Sequence, residues 1–334
     1  MPAVTPSAFP SHHRPGGGFR NPWVENAVPA FGSLLKWMLV HRTTRPRPKD
    51  PDPSVFPVVR HSFPTPRAAE SAITVTWVGH SSLLLQLGGL NILTDPMWSE
   101  RASPFAFAGP RRWVRPGVAL EDLPPIDVVA QSHNHYDHLD DHTVRALARA
   151  HPDASWLVPL GLAAFVRGRG VRRVTELDWW QEADVGPVHF TAVPAQHFSG
   201  RTIGDRGATL WCGWALAARN GRGGRIYFAG DTGHHPEFGM IGERCGPFDV
   251  AFLPIGAYEP RWFMRYVHMN PEEAVSAFQA LNARAMVPIH WGTFKLTDEA
   301  MDEPPARARA AWTAARLPAD QYRQLAHGET LVLD

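Results

Sequence analysis

The sequence predicts an α/β protein, with α+β character, in which two mixed β-sheets pack face to face and helices cover their outer faces. β-rich segments open the main part of the chain, and apolar strands then alternate with helical segments, an order that occurs twice. The length of 334 residues exceeds the usual size of one domain, but large sandwich folds reach it as a single unit. A hydrophobic share of 44% is enough for a sizeable core.

The predicted strands are short runs rich in β-branched, aromatic and leucine residues. Gly88-Gly89 predicts a tight turn between the second and the third of them. The predicted segments are Ile73 to Val78, Ser82 to Leu87, Leu90 to Leu93, Ile126 to Ala130, Val188 to Pro194, Thr209 to Leu216, Ile226 to Ala229, Val250 to Leu253 and Ala285 to Ile289. Several of these strands end close to a histidine or an aspartate.

Helices are predicted in three places along the main part of the chain. The segments are His142 to Ala150, Asn270 to about Leu281, and Pro304 to Arg316. The second has the clearest start, because Asn270 can cap it, Pro271 suits its first position, and two glutamates follow near the positive end of its dipole.

Residues 1 to 70 are predicted to form a Pro/Gly-rich N-terminal extension, and residues 71 to 334 the main domain. Frequent Pro and Gly are typical of extended or loose chain. A short amphipathic helix is expected within the extension. Its apolar positions at helical spacing are Phe31, Leu34, Leu35 and Met38. This stripe either packs on the main domain or enters a membrane surface, where the basic residues that follow would meet anionic headgroups.

The charge and cysteine content exclude some classes of protein. The formal net charge is +1, so no nucleic-acid partner is expected. The two cysteines, Cys212 and Cys245, form neither a CxxC pair nor a disulfide framework. No signal peptide and no apolar run of about 20 residues are visible. These features predict a cytoplasmic protein, with a peripheral position on the inner membrane surface as an open addition.

The strongest functional signal is the run from Ser132 to Asp140, which follows a predicted apolar strand. It carries His133, His135, Asp137 and His138, and imidazole nitrogens and carboxylate oxygens are zinc ligands. Four donors within six residues cannot easily reach one ion. A loop at a strand end can instead divide them between two ions, with the first two on one and the last two on the other.

Three further residues repeat this arrangement downstream. His197, Asp231 and His290 each lie close to the end of a predicted apolar strand. Each has an ordinary interpretation, as a partly buried histidine or a turn residue. Gly230 would allow close backbone approach beside Asp231, which favours a ligand there. Together they predict a metal centre, because functional residues collect at such strand ends.

These residues resemble the ligand motif of the metallo-β-lactamase superfamily. Other segments resemble, more closely, the branch of phospholipases D that hydrolyse N-acylphosphatidylethanolamine. The matching segments are Asn21 to Trp23, Leu93 to Pro96, Arg101 to Pro104, Ser132 to Asp140, Glu176 to Trp180, Phe228 to Gly233, Pro254 to Met264 and Ile289 to Phe294. The resemblance covers roughly residue 19 to the C-terminus. The run Pro254 to Met264 is the segment most specific to the branch.

The resemblance implies an αββα sandwich with two Zn²⁺ ions per chain in a cleft. The implied ligands are His133, His135 and His197 for one zinc, and Asp137, His138 and His290 for the other. Asp231 would bridge both ions, which would also share a hydroxide. Asp137, Asp231 and His268 are the implied catalytic residues, and Tyr136 and His268 are implied to approach the phosphodiester of the substrate.

Two positions depart from the family pattern. Val267 stands where the family has glutamine, which puts the headgroup contacts in doubt. Gly200 stands where the mammalian enzyme has a lysine linked to bile-acid binding, which puts regulation by bile acids in doubt.

The implied function is zinc-dependent hydrolysis of N-acylphosphatidylethanolamine to N-acylethanolamine and phosphatidic acid. An apolar groove for the acyl chains is expected among seven aromatic and methionine side chains. These are Met97, Trp98, Phe105, Phe107, Trp262, Phe263 and Met264. One alternative is a hydrolase of the same fold that acts on a lactone or a soluble phosphodiester, since one scaffold hosts many activities. Another is a non-catalytic lipid-binding protein, although a structural zinc needs only four closed ligands. A phospholipid substrate is the expected partner, and a homodimer is compatible with the resemblance.

Overall fold

The computed structural model describes residues 10–24, 32, 36–41, 48–202, 204–219 and 224–333. Within these ranges the strands form two sheets. The strands of the first sheet are β1 (Ile73–Gly79), β2 (Ser82–Leu87), β3 (Leu90–Thr94), β4 (Val128–Ala130), β5 (Ser155–Pro159), β6 (Arg173–Leu177) and β13 (Thr330–Leu333). Their spatial order is β13-β1-β2-β3-β4-β5-β6. Pairing is antiparallel from β13 to β3 and parallel from β3 to β6.

The second sheet repeats this plan of an antiparallel part followed by a parallel part. Its strands are β7 (Glu182–Val185), β8 (Val188–Val193), β9 (Gly213–Ala218), β10 (Arg225–Phe228), β11 (Val250–Pro254) and β12 (Met286–Ile289). The spatial order is β12-β11-β10-β9-β8-β7, with parallel pairing between β10 and β12. The predicted class of two mixed sheets in an α/β fold is confirmed.

Helices cover the outer faces of the sheets. They are α1 (Asp141–Ala150), α2 (Ala163–Arg167), α3 (Phe238–Cys245), α4 (Arg261–Met264), α5 (Pro271–Ala280) and α6 (Glu303–Ala314). The predicted start of α5 is confirmed, because the Asn270 side chain accepts from the Glu273 amide and Glu273 returns a bond to the Asn270 amide. Asp140 caps α1 by accepting from the Thr143 amide.

Alternating side chains of one strand show how the layers pack. Leu83 and Leu85 of β2 point into the core between the two sheets. Leu84 points to the opposite face, where Leu147 of α1 and Val166 of α2 cover it. All three leucines are fully buried, and each contributes about 1.5–3 kcal/mol relative to an exposed position. The first sheet is therefore packed on both faces, by the second sheet on one side and by helices on the other, which holds the strand ends in place.

One strand starts later than the sequence suggests. The segment predicted from Thr209 pairs as β9 only from Gly213. The reason is that backbone amides before Gly213 bond outside their own sheet: Leu210 donates to the Leu160 carbonyl, and Cys212 donates to the Ser132 carbonyl. This segment ties the second sheet to the loops of the first.

The N-terminal residues that the structure describes lie on the main domain. Phe19 is buried, and its amide donates to the Gly207 carbonyl at 2.7 Å. A π-helical turn spans Lys36–His41, and its Trp37 is buried against Met264 and Val267. Phe31, Leu34 and Leu35 of the predicted helix lie outside the described residues. Across the described part of the chain, no helix is both long and apolar enough to cross a bilayer.

Gly117 packs directly on the backbone of another loop, and alanine at this position is expected to destabilise the fold. A Cβ on Gly117 would lie 2.0 Å from the Gly328 nitrogen, so the backbone must move. We expect the Gly117→Ala substitution to lower the free energy of unfolding in urea by about 1–3 kcal/mol. The Gly16→Ala variant is the control, since its Cβ would meet no atom within 4 Å. Equal stabilities of the two variants would contradict the packing described for Gly117.

Candidate metal centre

The seven predicted ligands meet at one end of the sandwich. Four lie in the turn after β4, and the others follow β8, β10 and β12. They are His133, His135, Asp137, His138, His197, Asp231 and His290. The turn after β4 is tight, because the amides of His138 and Leu139 both donate to the His135 carbonyl. The ligand-type side chains form two adjacent groups, in each of which the donor atoms lie within 4.8 Å of one another.

The first group consists of His133, His135, His197 and Asp231. Nδ1 of His135 lies 2.9 Å from Nε2 of His133 and 3.1 Å from Nε2 of His197. Nδ1 of His133 lies 2.8 Å from the Ser132 hydroxyl, and Nδ1 of His197 lies 2.8 Å from the Val267 carbonyl. Three imidazole nitrogens therefore converge on one point from three directions.

The second group consists of His80, Asp137, His138 and His290. Oδ2 of Asp137 lies 3.4 Å from Nε2 of His138 and 3.4 Å from Nε2 of His290. It lies closer, at 2.9 Å, to Nε2 of His80. This group has a carboxylate at its centre, whereas the first group has imidazoles on three sides.

Asp231 lies between the two groups. Its Oδ2 is 3.1 Å from Nε2 of His138 and 3.7 Å from Nε2 of His197, and its Oδ1 is 3.1 Å from Nε2 of His290. The side chain is buried. Gly230 makes the approach possible: its φ is 59°, and a Cβ there would lie 2.5 Å from that of Ser132. The close backbone approach predicted at Gly230 is confirmed.

Asp95 orients one histidine of the second group. Oδ2 of Asp95 lies 2.6 Å from Nδ1 of His138, and Oδ1 accepts from the Ser132 amide and from Nε2 of Gln131. Because Nδ1 of His138 faces the Asp95 carboxylate, it donates there, and Nε2 is the ring nitrogen that faces Asp231 and would bind a metal ion.

Three non-glycine residues around the site have a left-handed backbone. The φ values are 55° at His80, 34° at Asp95 and 61° at His290. Such a conformation is unfavourable by about 1–3 kcal/mol per residue and persists where surrounding contacts enforce it. One such contact is direct, because the His290 amide donates to the His80 carbonyl at 3.1 Å.

The pKa values divide the histidines into two kinds. Burial lowers the pKa of His135 to about 3 and that of His197 to about 4, so both are neutral at pH 7. Burial also opposes protonation of His290, but the carboxylates of Asp231 and Asp137 outweigh it and raise its pKa to about 9. A cation at the second group would take the place of the proton on His290, so binding releases a proton there.

Buried polar atoms without partners test whether a cation fits. Oδ1 of Asp231 and the Nε2 atoms of His138 and His290 are buried and make no hydrogen bond. Unpartnered buried polar atoms are unfavourable by about 1–3 kcal/mol each. A donor set of imidazole and carboxylate around these atoms is suited to divalent zinc, iron or manganese. The residues present therefore fit a pair of metal ions.

His268 and Tyr136 lie differently with respect to this centre. His268 is buried, and its unpartnered Nδ1 lies 4.0 Å from Oδ2 of Asp231. The Tyr136 hydroxyl donates to the Arg201 carbonyl at 3.0 Å, and the Arg201 guanidinium lies 3.9 Å from the tyrosine ring centre. Tyr136 lines a cavity of about 690 Å³ together with Phe105, Phe165 and Arg169. The structure places His268 against the ligand groups, and Tyr136 in the wall of a cavity whose lining includes none of the seven ligands.

His80 is not among the ligands predicted from the sequence. It directly follows the apolar strand β1, and it contacts Asp137. The pattern that identified His197, Asp231 and His290 applies to it without change, so the signal was present.

Comparisons with known proteins agree with this geometry. The chain matches the family model described as beta-lactamase superfamily domain over residues 90–291. An uncharacterized protein of Mycobacterium tuberculosis is 45% identical over 83% of this chain and 73% of its own length. The N-acyl-phosphatidylethanolamine-hydrolyzing phospholipase D 1 of Caenorhabditis elegans is 43% identical over 68% of this chain and 66% of its own length. The structure of Igni18, a metallo hydrolase from Ignicoccus hospitalis, has a TM-score of 0.59 at 22% identity and covers 79% of this chain and 99% of that one.

The family match covers more than half of the chain and contains all seven predicted ligands. The chain therefore belongs to the metallo-β-lactamase superfamily.

Proposed function

We propose that this protein is a metal-dependent hydrolase that binds two zinc ions and hydrolyses N-acylphosphatidylethanolamine to N-acylethanolamine and phosphatidic acid. The observation that carries the proposal is the position of Asp231 between the two donor groups. Its carboxylate lies 3.1 Å from Nε2 of His138 and of His290 in the second group, and 3.7 Å from Nε2 of His197 in the first. The substrate is suggested by the similarity to the worm phospholipase D, which is spread over 238 residues.

The proposed ligands follow the two groups. His133, His135 and His197 would hold one ion, Asp137, His138 and His290 the other, and Asp231 both. Paired ions of this kind supply water activated at neutral pH and offset the charge that develops on a phosphoryl group.

The side chains of this protein have separate tasks in the proposed reaction. Asp231 would keep the two donor groups at a fixed separation, because it contacts histidines of both. Asp137 would hold the second group together, because its carboxylate contacts His138 and His290. His268 would bind the phosphodiester, because its Nδ1 is buried, unpartnered and 4.0 Å from Asp231. Tyr136 would contact the substrate from the wall of the cavity that it lines.

The proposed substrate lies in a membrane, and apolar side chains near the site are exposed. Phe107 is 81% exposed and Phe105 is 55% exposed, on the segment that the Ser99 hydroxyl ties to Asp140. Trp262 of α4 is 38% exposed. Met97 and Met264 of the expected groove are instead buried. Three further points belong to the proposal. A peripheral position on the inner membrane surface is tested by sedimentation with vesicles, and a homodimer by analytical ultracentrifugation. A division of the chain near residue 70 is tested by limited proteolysis.

The deciding experiment measures hydrolysis of N-acylphosphatidylethanolamine in mixed micelles by protein of known metal content. We expect about two zinc ions per chain, loss of turnover with a chelator, recovery with added zinc, and release of both products. A lactone and a soluble phosphodiester are assayed in parallel. Two zinc ions without lipid turnover would contradict the proposed substrate and favour one of the parallel substrates. A chain that binds no metal would contradict the metal centre itself.

A further inference from the structure

The N-terminal segment 10–24 reaches the metal centre through Asn21. The side-chain Nδ2 of Asn21 donates to the His197 carbonyl at 2.9 Å, and the His197 backbone amide donates to Oδ1 of Asn21 at 3.1 Å. Asn21 is buried, at 8% exposure. A primary amide has a donor and an acceptor on the same side, so this pair fixes the backbone of His197 as a neighbouring strand would.

The ring of His197 is fixed by a separate contact. Its Nδ1 lies 2.8 Å from the Val267 carbonyl, so Nδ1 carries the proton and Nε2 is the free donor atom. Nε2 lies 3.1 Å from Nδ1 of His135 and 3.7 Å from Oδ2 of Asp231. Asn21 thus sets where the residue lies, and Val267 sets how its ring is turned.

Two anchors hold Asn21 in place, one on each side of it in the chain. Nε2 of His12 lies 2.6 Å from Oδ1 of Asp178, and Nε2 of His13 lies 2.8 Å from Oδ2 of the same carboxylate. On the other side, the Trp23 ring stacks on both Trp179 and His235. The ring centres are 5.5 Å apart in the first pair and 4.9 Å apart in the second.

His12 of the first anchor takes part in the same aromatic stack. His12 stacks on Trp179 with ring centres 4.1 Å apart and planes at 21°. The rings of His12, Trp179, Trp23 and His235 therefore form one stack, which joins segment 10–24 to two distant parts of the chain. Burial opposes ionisation of Asp178, but hydrogen bonds from His12 and His13 outweigh it and lower its pKa.

Two histidines and an aspartate could also hold a metal ion, but the distances favour a clamp. Each oxygen of Asp178 has its own imidazole at hydrogen-bond length. An ion would need the same two Nε2 atoms, so the clamp and a bound ion exclude each other.

We propose that segment 10–24 is a brace of the metal centre, in which Asn21 is a positioning residue for His197 and the His12–Asp178–His13 clamp keeps Asn21 in place. The proposal rests on the proposed ligand role of His197 and is independent of the substrate. Loss of the brace is expected to affect the ion held by His133, His135 and His197 and to spare the other.

The test is zinc affinity, measured by competition with a chromophoric chelator in the full-length protein. The Asn21→Ala variant removes both bonds to His197, and we expect one of the two ions to bind about 10–100-fold more weakly, as for loss of other groups that orient ligands. The Asn21→Asp variant keeps the acceptor for the His197 amide and is expected to recover part of the affinity. The Arg20→Ala variant is the control, because the Arg20 side chain is exposed and, among the described residues, donates to the Ser11 carbonyl and not to His197.

A spectroscopic measurement separates positioning from general stability. In protein loaded with cobalt(II), the visible absorption bands report ligand geometry, and we expect them to change in the Asn21→Ala variant and to stay unchanged in the Arg20→Ala variant. Wild-type affinity and an unchanged spectrum in the Asn21→Ala variant would overturn the proposal. If Asn21→Ala does not fold, Asn21→Asp alone decides, with a weaker ion expected and wild-type affinity overturning the brace.

The clamp has a matched control elsewhere in the fold. Asp184 pairs with Nδ1 of His189 at 2.7 Å on the second sheet. We expect the Asp178→Asn variant to weaken one ion and the Asp184→Asn variant to weaken neither. If the wild type binds three zinc ions per chain and the Asp178→Asn variant binds two, the clamp is overturned, and His12, His13 and Asp178 are a metal site instead. Because zinc titration uses no lipid, failure of the lipid assay leaves the brace standing, and failure of the brace leaves the proposed activity standing.

Discussion

The Asp231→Asn variant is expected to lose hydrolytic activity while its fold stays largely intact. Asparagine has the shape of aspartate, but only one of its two terminal atoms can accept. Both carboxylate oxygens of Asp231 face an Nε2 atom at 3.1 Å, that of His138 on one side and that of His290 on the other. One side must therefore lose its contact, and the negative charge shared by the two groups is lost as well.

The expected loss of turnover exceeds the roughly 10–100-fold that follows removal of a group that only orients a ligand. Initial rates, zinc content and circular dichroism check the three parts of this prediction. The control is Asp153→Asn, whose side chain is 79% exposed. Near-normal turnover with two zinc ions bound would show that Asp231 does not bridge the groups.

The Asp95→Asn variant is expected to weaken metal binding through a change of tautomer. Asp95 accepts from Nδ1 of His138 and from both the amide and the hydroxyl of Ser132. If the new amide group faces His138, two donors meet, and the imidazole must move its proton from Nδ1 to Nε2. In the neutral ring, the atom that would bind the metal ion then carries the proton. Zinc affinity at the second group should fall by about 10–100-fold.

Asp127 supplies the matched control for Asp95. It lies just before β4, at the opposite end of that strand from the metal centre, and Oδ2 of Asp127 accepts from the Asn91 amide at 2.8 Å. The Asp127→Asn variant should change thermal stability but leave zinc affinity unchanged. Equal zinc affinity in the Asp95→Asn variant and the wild type would mean that Ser132 and the backbone orient His138 without the carboxylate.

The strands that bear the site were predictable because they are buried on both faces. The residues of β4, β11 and β12 are apolar and lie in the middle or parallel part of a sheet. Strands β6 and β7 escaped prediction because they lie at sheet edges and are partly exposed, so their sequences have no continuous apolar run. Strands β5 and β13 were also missed, although each contains a short apolar run.

The convergence of donor residues was predictable in outline, whereas the contact that positions His197 was not. His197 follows an apolar strand in the sequence, but its contact with Asn21 joins residues 176 positions apart. Frequent Pro and Gly around Asn21 indicate only that regular structure is absent. No local pattern shows that such a segment packs against a distant histidine. Recognition of Asn21-Pro22-Trp23 marked the segment without giving its role.

The left-handed backbone at His80, Asp95 and His290 also has a consequence for how fast the protein is degraded in a cell. Glycine would relieve the strain at each position, but it would remove the side chain that the site requires. Binding of ions to the folded form alone offsets such strain, because a ligand that binds only the native state stabilises it. A cell short of metal would then hold a chain that opens more often and is degraded sooner. Metal supply is expected to set the abundance of this protein as well as its activity.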